Sequence, residues 1–226
     1  MRLVLFDIDG TLVSDGGAAR EAYAVALEAV YGYRGELRRY DFSGRTDPQI
    51  THMVLGDAGF PAEQIDAALP RLWEHYLASL ARSARGRVRE LPGIRPLLET
   101  LDADARVVLG LLTGNIEPGA RVKLGNAALN DFFPFGAFGS DSARREELPP
   151  IAVERASRIA GHRFEGRDVV IIGDSIYDVR CGVPHAATTI AIASGKTSAE
   201  ALLAESPHHF FPTAEDHDAL LAAIIG

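Results

Sequence analysis

The stretch LVLFDIDGT, residues 3–11, decides the fold of this 226-residue chain. Its first four residues are apolar, as in a β-strand that is buried on both faces of a sheet. The apolar run ends at Asp7, and a second carboxylate follows at Asp9, before a glycine and a threonine. The stretch therefore predicts a buried strand whose carboxyl end carries two acidic side chains.

Comparable apolar runs recur along the chain, and helical patterns separate them. The runs VVLGLL, VVII and the weaker TTIAI lie at 107–112, 169–172 and 188–192. Segments with helical periodicity lie at 93–103, 117–129 and 149–161. Strands that alternate with helices in this way form a parallel sheet. We therefore predict the α/β class, with a doubly wound parallel sheet and a Rossmann-like core.

The chain between the first strand and residue 90 departs from this alternation. It contains no convincing strand, and helical patterns occur near 22–30, 47–58 and 62–84. The segment is far longer than the dozen or so residues of an ordinary crossover. We therefore predict an all-helical cap domain, residues 15–89, inserted into an α/β core domain of residues 1–14 and 90–226. The alternative is that these helices pack directly into the main core.

The composition argues against nucleic acids and membranes as partners of this chain. Asp and Glu outnumber Lys and Arg by 31 to 23, a net charge of −8. Nucleic-acid binding needs a basic face, so we expect no nucleic-acid partner. We also expect no membrane partner, because no run approaches the roughly 20 apolar residues of a membrane span and the run after Met1 is too short for a secretory signal. Cys181 is the single cysteine, which fits a cytoplasmic location.

Polar clusters directly follow the three best strands. They are DIDGT at 7–11, TGN at 113–115 and GDSIYD at 173–178. The carboxyl ends of parallel strands meet in one crevice, where open α/β sheets bind ligands. We therefore expect these clusters to converge there.

The convergence would bring four carboxylates together, and they would repel one another unless a cation neutralised them. Oxygen ligands without His or Cys suit Mg²⁺. Asp7, Asp174 and Asp178 are candidate side-chain ligands or supports of the metal, and Asp9 could offer its peptide carbonyl. The sequence thus predicts a magnesium site and, because Mg²⁺ commonly binds phosphate oxygens, an anionic substrate.

The motifs resemble those of a known family. DIDGT, LLTGN at 111–115 and GDSIYD, in this order and spacing, resemble the haloacid dehalogenase-like hydrolase superfamily. The helical insertion corresponds to that superfamily's small cap domain, and FSGRTDP at 42–48 resembles a cap loop of its phosphoglycolate phosphatase-like members. The resemblance covers nearly the whole chain. It implies an Mg²⁺-dependent phosphatase that hydrolyses a small phosphorylated metabolite through an aspartyl-phosphate.

The resemblance also implies catalytic roles for the four acidic residues. Asp7 would be the nucleophile that attacks phosphorus. Asp9 would protonate the leaving oxygen and then activate water. Asp174 would ligate Mg²⁺, and Asp178 would hold the surroundings of the metal in place.

Substrate contacts are implied for the second motif and for the cap. Thr113 and the backbone N–H of Gly114 would hydrogen-bond the transferring phosphoryl group. Asn115 completes this motif and is a further candidate for substrate binding. Arg45 would either contact a distal acidic group of the substrate or form a salt bridge within its loop.

The superfamily also places a cation, normally lysine, between the second and third motifs. The chain has only two lysines, and Lys123 lies within the predicted helix after the second motif, where we expect a solvated helix charge. Arg144 and Arg145 fall where the cation is required. An arginine can still stabilise phosphoryl charge. We assign the role to Arg145, with Arg144 as the alternative.

Other activities share parts of this pattern. A dehalogenase normally lacks the second carboxylate, here Asp9, and a phosphonatase needs a cap lysine that this chain lacks. A sugar-phosphate mutase keeps the same motifs and is the alternative within the superfamily. A non-enzymatic phosphate-binding or phosphoacceptor module is the alternative outside the enzymes. The sequence leaves open whether the protein is a monomer or a homodimer.

Overall fold

The main sheet has six strands, all parallel, in a computed structural model that describes residues 1–226. In chain order the strands of the molecule are β1 (Arg2–Phe6), β2 (Val13–Ser14), β3 (Arg89–Glu90), β4 (Val107–Leu112), β5 (Gly136–Ala137), β6 (Val169–Gly173), β7 (Thr188–Ile192) and β8 (His209–Phe211). The main sheet has the order β5-β4-β1-β6-β7-β8. The chain thus moves outward from β1 first to one side and then to the other, which confirms the predicted doubly wound parallel sheet.

Nine α-helices accompany the strands. They are α1 (Ala18–Tyr31), α2 (Asp47–Asp57), α3 (Ala62–Ser83), α4 (Ile94–Asp102), α5 (Glu117–Asn126), α6 (Leu148–Ala160), α7 (Ile176–Gly182), α8 (Ala199–Ala204) and α9 (His217–Ile225). The helices predicted at 93–103, 117–129 and 149–161 are therefore present as α4, α5 and α6. None of the nine is both long enough and apolar enough to cross a membrane.

The side chains of β1 alternate between the two faces of the sheet. Leu3 and Leu5 belong to one apolar cluster, with residues of α6 and α7. Val4 and Phe6 belong to the other, with residues of α4, α5 and α9. All four side chains are fully buried, as expected of a central strand covered by helices on both faces.

The insertion after β1 is helical, and a pair of short strands joins its two ends. Helices α1, α2 and α3 all lie between β2 and β3, which pair antiparallel. These two-residue strands lie at the borders of the segment in which we expected none. Buried side chains of the insertion are continuous with the cluster that covers one face of the sheet. That residues 15–89 form a separate cap domain stays a prediction.

The strand register places the three motifs side by side at the carboxyl ends of β1, β4 and β6. Phe6 lies opposite Leu111 of β4 and Ile172 of β6. Asp7, Thr113 and Asp174 therefore leave their strands within a residue or so of each other. The strand order reverses at β1, which is where open α/β sheets bind ligands.

Candidate active site

A cavity of about 500 Å³ opens at the carboxyl ends of β1, β4 and β6, and α1, α2 and the loop before α2 contribute to its wall. Eight predicted site residues line it: Asp7, Asp9, Arg45, Thr113, Gly114, Asn115, Arg145 and Asp174. Asp178 does not line the cavity. It lies behind the wall, where it is 2% exposed and caps the start of α7 together with Ser175.

Asp7, Asp174 and Asp178 form a buried acidic cluster. Each offers a carboxylate oxygen, and these oxygens lie within 4.8 Å of one another. Burial raises the pKa of Asp7, and burial together with repulsion from Asp7 and Asp178 raises the pKa of Asp174 well above its usual range. The cluster therefore has an excess of negative charge that a divalent cation with oxygen ligands fits. Asp9, which was also assigned to the metal, has its side chain outside this cluster.

The turn after β1 accommodates Asp174 because residue 10 is a glycine. Gly10 has a φ of +85°, a conformation that side chains strongly disfavour. A Cβ built there would lie 2.4 Å from Oδ2 of Asp174. The hydroxyl of Thr11 donates to Oδ1 of the same carboxylate over 3.3 Å. The DIDGT turn thus holds Asp174 in position beside Asp7.

Arg145 is the only cation that reaches the acidic cluster. Its side chain is 4% exposed, contacts Oδ1 of Asp178 and lies 3.4 Å from Oδ1 of Asp7. Burial disfavours the guanidinium, but Asp178 and Asp7 outweigh this and raise the pKa of Arg145. Arg144, by contrast, is 67% exposed and pairs with Glu147. Of the two arginines considered for this place, the structure brings only Arg145 to the site.

The expectation that Lys123 is a solvated helix charge was wrong. Its side chain is 3% exposed, and Nζ lies 2.5 Å from Oδ2 of Asp9 and 2.6 Å from Oδ1 of Asn115. Burial alone would lower its pKa, but Asp9, Asp15 and Asp47 raise the pKa of Lys123 above its usual value. A second buried cation thus belongs to the site.

The periodicity of α5 contains the signal that places Lys123 inside. The buried apolar positions before and on this helix are Ile116, Ala120 and Leu124. Position 123 lies seven residues after Ile116, and residues i and i+7 share one face of a helix. We missed this because lysine is rarely fully buried unless it is paired, and its partner, Asp9, comes from a distant segment.

Asp47 is a second residue that the sequence analysis missed. It is the first residue of α2 and directly follows the capping residue Thr46. This local position does not indicate a contact with a distant segment. Its backbone N–H donates to the carbonyl of Gly114 over 2.8 Å. Its carboxylate accepts from the N–H of Ile116, also over 2.8 Å. Asp47 therefore joins the helical insertion to the second motif.

The same junction explains why residue 114 is a glycine. A Cβ at Gly114 would lie 2.1 Å from the carbonyl oxygen of Arg45. The loop before α2 therefore packs directly on the second motif, and any larger residue would separate the two. Arg45 itself does not form the loop salt bridge that we considered. Its guanidinium lies 5.3 Å from the centre of the Tyr177 ring, and its Nε is buried without a hydrogen-bond partner.

We expect Asp47→Asn to stabilise the protein at pH 8 by about 3 kcal/mol and to leave its stability nearly unchanged at pH 4. Burial raises the pKa of Asp47 to about 6, against opposing effects of Lys123 and the Ile116 N–H. The folded state therefore binds this proton more tightly than the unfolded state, and stability falls as pH rises from about 4 to about 6. Asparagine keeps an acceptor for Ile116 but cannot ionise. Urea unfolding at both pH values measures the difference.

The control for this substitution is Asp57→Asn, at the exposed end of the same helix. It should change stability equally little at both pH values. An Asp47→Asn variant that is less stable than the wild type at pH 8 would contradict the cost assigned to the buried carboxylate.

Carboxylates that can hold a divalent cation beside a buried arginine are suited to binding and stabilising phosphoryl groups. The fold and the site thus define an α/β enzyme that acts on an anionic ester. The chain belongs to the haloacid dehalogenase-like hydrolase family, whose model matches residues 1–183. This confirms the resemblance that the three motifs indicated and makes the protein a hydrolase.

Individual relatives agree with this assignment. The chain is 28% identical over 213 residues to phosphoglycolate phosphatase 1 of Pseudomonas aeruginosa, covering 88% of this chain and 73% of that protein. It is 24% identical over 210 residues to phosphoglycolate phosphatase of Yersinia pestis, covering 92% and 87%. The solved structure of a hydrolase from Pseudomonas syringae matches over 99% of both chains, with a TM-score of 0.75 and 22% identity. That structural likeness shows the shared fold.

Proposed function

We propose that this protein is an Mg²⁺-dependent phosphatase that hydrolyses a small phosphomonoester through an aspartyl-phosphate on Asp7. The observation that carries the proposal is the arrangement around Asp7. Its carboxylate shares a buried cluster with Asp174 and Asp178 and lies 3.4 Å from Arg145, while a more exposed carboxylate, Asp9, follows two residues later. Both carboxylates line the cavity, but Asp7 is buried beside Arg145 and two further carboxylates, whereas Asp9 is more exposed.

The reaction has two displacements at phosphorus. In the first, an oxygen of Asp7 forms a bond to phosphorus while the ester P–O bond breaks, and Asp9 gives its proton to the leaving oxygen. In the second, Asp9 takes a proton from water, the water oxygen attacks phosphorus, and the bond to Asp7 breaks. Mg²⁺, held by Asp7, Asp174 and the peptide carbonyl of Asp9 with Asp178 in support, would neutralise phosphoryl charge when bound.

The other side chains bind the phosphoryl group. Thr113 and the N–H of Gly114, which directly follow β4, would donate hydrogen bonds to its oxygens. Arg145 supplies a fixed positive charge that is already in position before the substrate binds, which lowers the cost of reorganisation in the transition state.

We expect Arg145→Ala to lower kcat/KM by about 10²–10³-fold, the usual effect of removing one stabilising group of this kind. Arg144→Ala is the matched control, because Arg144 is exposed and pairs only with Glu147. It should lose less than about 3-fold, as expected for an exposed pair. Steady-state release of phosphate measures both. A larger loss in Arg144→Ala would move the role to the neighbouring residue.

The substrate we propose is a small phosphomonoester with a second acidic group, such as phosphoglycolate. Two relatives carry that substrate in their names. Arg45 lines the cavity with a guanidinium that forms no salt bridge within its loop, so it is available to a distal carboxylate. We place the reaction in the cytoplasm, where the free thiol of Cys181 would stay reduced.

Phosphate release from a panel of phosphomonoesters, with Mg²⁺ and with excess EDTA, tests the proposal. The panel contains phosphoglycolate, several sugar phosphates and p-nitrophenyl phosphate. We expect Mg²⁺-dependent release, with the highest kcat/KM for the substrate that carries a carboxylate. Absence of phosphate from every member with Mg²⁺ present would overturn the phosphatase assignment, and isomerised sugar phosphate in its place would identify a mutase.

A further inference from the structure

The ammonium group of Lys123 is buried beside Asp9, the proposed general acid and base. Its side chain is 3% exposed, and the two nearest acceptors are Oδ2 of Asp9 at 2.5 Å and Oδ1 of Asn115 at 2.6 Å. No motif of the sequence analysis included it, and the proposed reaction has not required it. In the proposed reaction Arg145, which reaches Asp7 and Asp178, is the cation that faces the phosphoryl group.

Asn115 closes a ring of hydrogen bonds between Lys123 and Asp9. Its Nδ2 donates to Oδ2 of Asp9 over 2.8 Å and to Oγ1 of Thr113 over 2.9 Å. Lys123 and Asn115 therefore both hold the same oxygen of Asp9. The other oxygen, Oδ1, takes part in neither contact, and the Asp9 side chain is 41% exposed toward the cavity.

The burial of this charge needs a reason other than stability. Taking an ammonium out of water costs several kcal/mol, and a buried ion pair is often no more stable than a well-packed apolar pair. Position 123 lies on the apolar face of α5, next to Leu124, where a methionine or leucine would also fit the pattern of burial. A buried lysine is useful there if its contact with Asp9 is itself required.

We propose that Lys123 is a positioning residue that, together with Asn115, fixes Oδ2 of Asp9 so that Oδ1 faces the substrate for proton transfer. The inference rests on the proposed role of Asp9 as acid and base. An unrestrained aspartate populates several rotamers, and only some of them direct an oxygen to the reacting group. Two donors on one oxygen select one rotamer before the substrate binds, and misplacement of a catalytic group by about 1 Å can cost about 100-fold.

The test compares an alkyl phosphate, which needs a proton on its leaving oxygen, with p-nitrophenyl phosphate, which does not. For Lys123→Met we expect kcat on the alkyl ester to fall by about 100-fold. With p-nitrophenyl phosphate in a stopped-flow experiment, we expect a burst of one p-nitrophenolate per site at a rate within about 3-fold of the wild type. Slow turnover should follow, because activation of water also needs Asp9.

Two controls separate positioning from a general effect on folding. Arg121→Met removes another cation of α5, one that contacts Glu117 and the carbonyl of Phe133 outside the site, and it should leave both rates unchanged. Adding Lys123→Met to Asp9→Asn should cost less than about 3-fold further, because a residue that acts through Asp9 has nothing left to position. If Lys123→Met does not fold, Lys123→Gln undergoes the same comparison; because glutamine keeps a donor, we expect a smaller loss of kcat on the alkyl ester, again with the burst rate retained.

The outcomes are distinct. A burst rate on p-nitrophenyl phosphate that falls as far as kcat on the alkyl ester, or losses that multiply in the double variant, would overturn the role of Lys123 while leaving the phosphatase assignment intact. A wild-type enzyme that hydrolyses neither ester would overturn the proposed function and this inference with it. The result we expect is a large loss of kcat on the alkyl ester, with the rate of the p-nitrophenolate burst retained.

Discussion

Asp7→Asn is expected to abolish turnover, with a loss of roughly 10⁴-fold or more in kcat on every substrate. Asparagine has nearly the same shape as aspartate, so the buried site keeps its packing, but its amide cannot attack phosphorus. The other two carboxylates of the acidic cluster cannot replace it, because Asp174 lies against the Gly10 turn and Asp178 lies behind the cavity wall. Phosphate release in the presence of Mg²⁺ measures the loss.

The control for Asp7→Asn is Asp131→Asn, the same chemical change at an exposed position. It should retain wild-type kcat. Thermal unfolding of Asp7→Asn establishes that the variant is folded. A folded Asp7→Asn that keeps more than about a tenth of wild-type activity would mean that another group is the nucleophile.

Asp9→Asn is expected to separate the two steps of the reaction. Steady-state kcat on alkyl phosphates should fall by about 10²–10⁴-fold, because proton transfer to the leaving oxygen is lost. p-Nitrophenolate leaves without a proton, so p-nitrophenyl phosphate should still give a burst of one equivalent. The burst should be followed by a stall at the hydrolysis of the aspartyl-phosphate. Rapid mixing with absorbance detection measures both phases.

The opposite pattern would reassign Asp9. Its side chain is 41% exposed, so its replacement leaves no cavity in the core, and a loss of activity is not explained by unfolding. Loss of the burst itself, with the fold intact, would place Asp9 in the attack on phosphorus. Full activity on alkyl phosphates would remove it from the acid and base role.

The fold could be predicted because the central strands are recognisable from their own residues. A central strand such as β1, covered on both faces, has to be apolar over its whole length, and this is visible in four consecutive residues. β2 and β3 could not be predicted in this way. They are two residues long, include Ser14, Arg89 and Glu90, and are defined only by pairing with each other across the whole insertion.

The acidic part of the site was predictable because parallel strands bring their carboxyl ends together. Asp7 and Asp174 follow directly from that rule. Lys123 and Asp47 could not be predicted as site residues, because each contacts a partner from a distant segment. Lys123 of α5 forms an ion pair with Asp9, which follows β1. Asp47 of the helical insertion accepts a hydrogen bond from the loop after β4. Side-chain contacts between distant segments depend on tertiary packing, which local patterns do not record.

The sequence also could not decide between Arg144 and Arg145, which are neighbours in the chain. Both lie in a short segment before α6, and neither has a helical or strand pattern that assigns it a face. Only the packing of that segment against α7 turns one guanidinium toward Asp178 and the other toward Glu147 and solvent.

In the proposed reaction, Asp7 carries the phosphoryl group between the two steps. To detect this intermediate, Asp9→Asn is mixed with p-nitrophenyl phosphate and Mg²⁺ and quenched in acid at the end of the burst, and the phosphorylated residue is mapped by borohydride reduction and peptide mass spectrometry. Before reduction we expect one phosphoryl group per chain; reduction should release it as phosphate and leave homoserine at position 7. A phosphoryl group on any other residue, or a full burst with no covalent phosphate, would show that Asp7 is not the nucleophile.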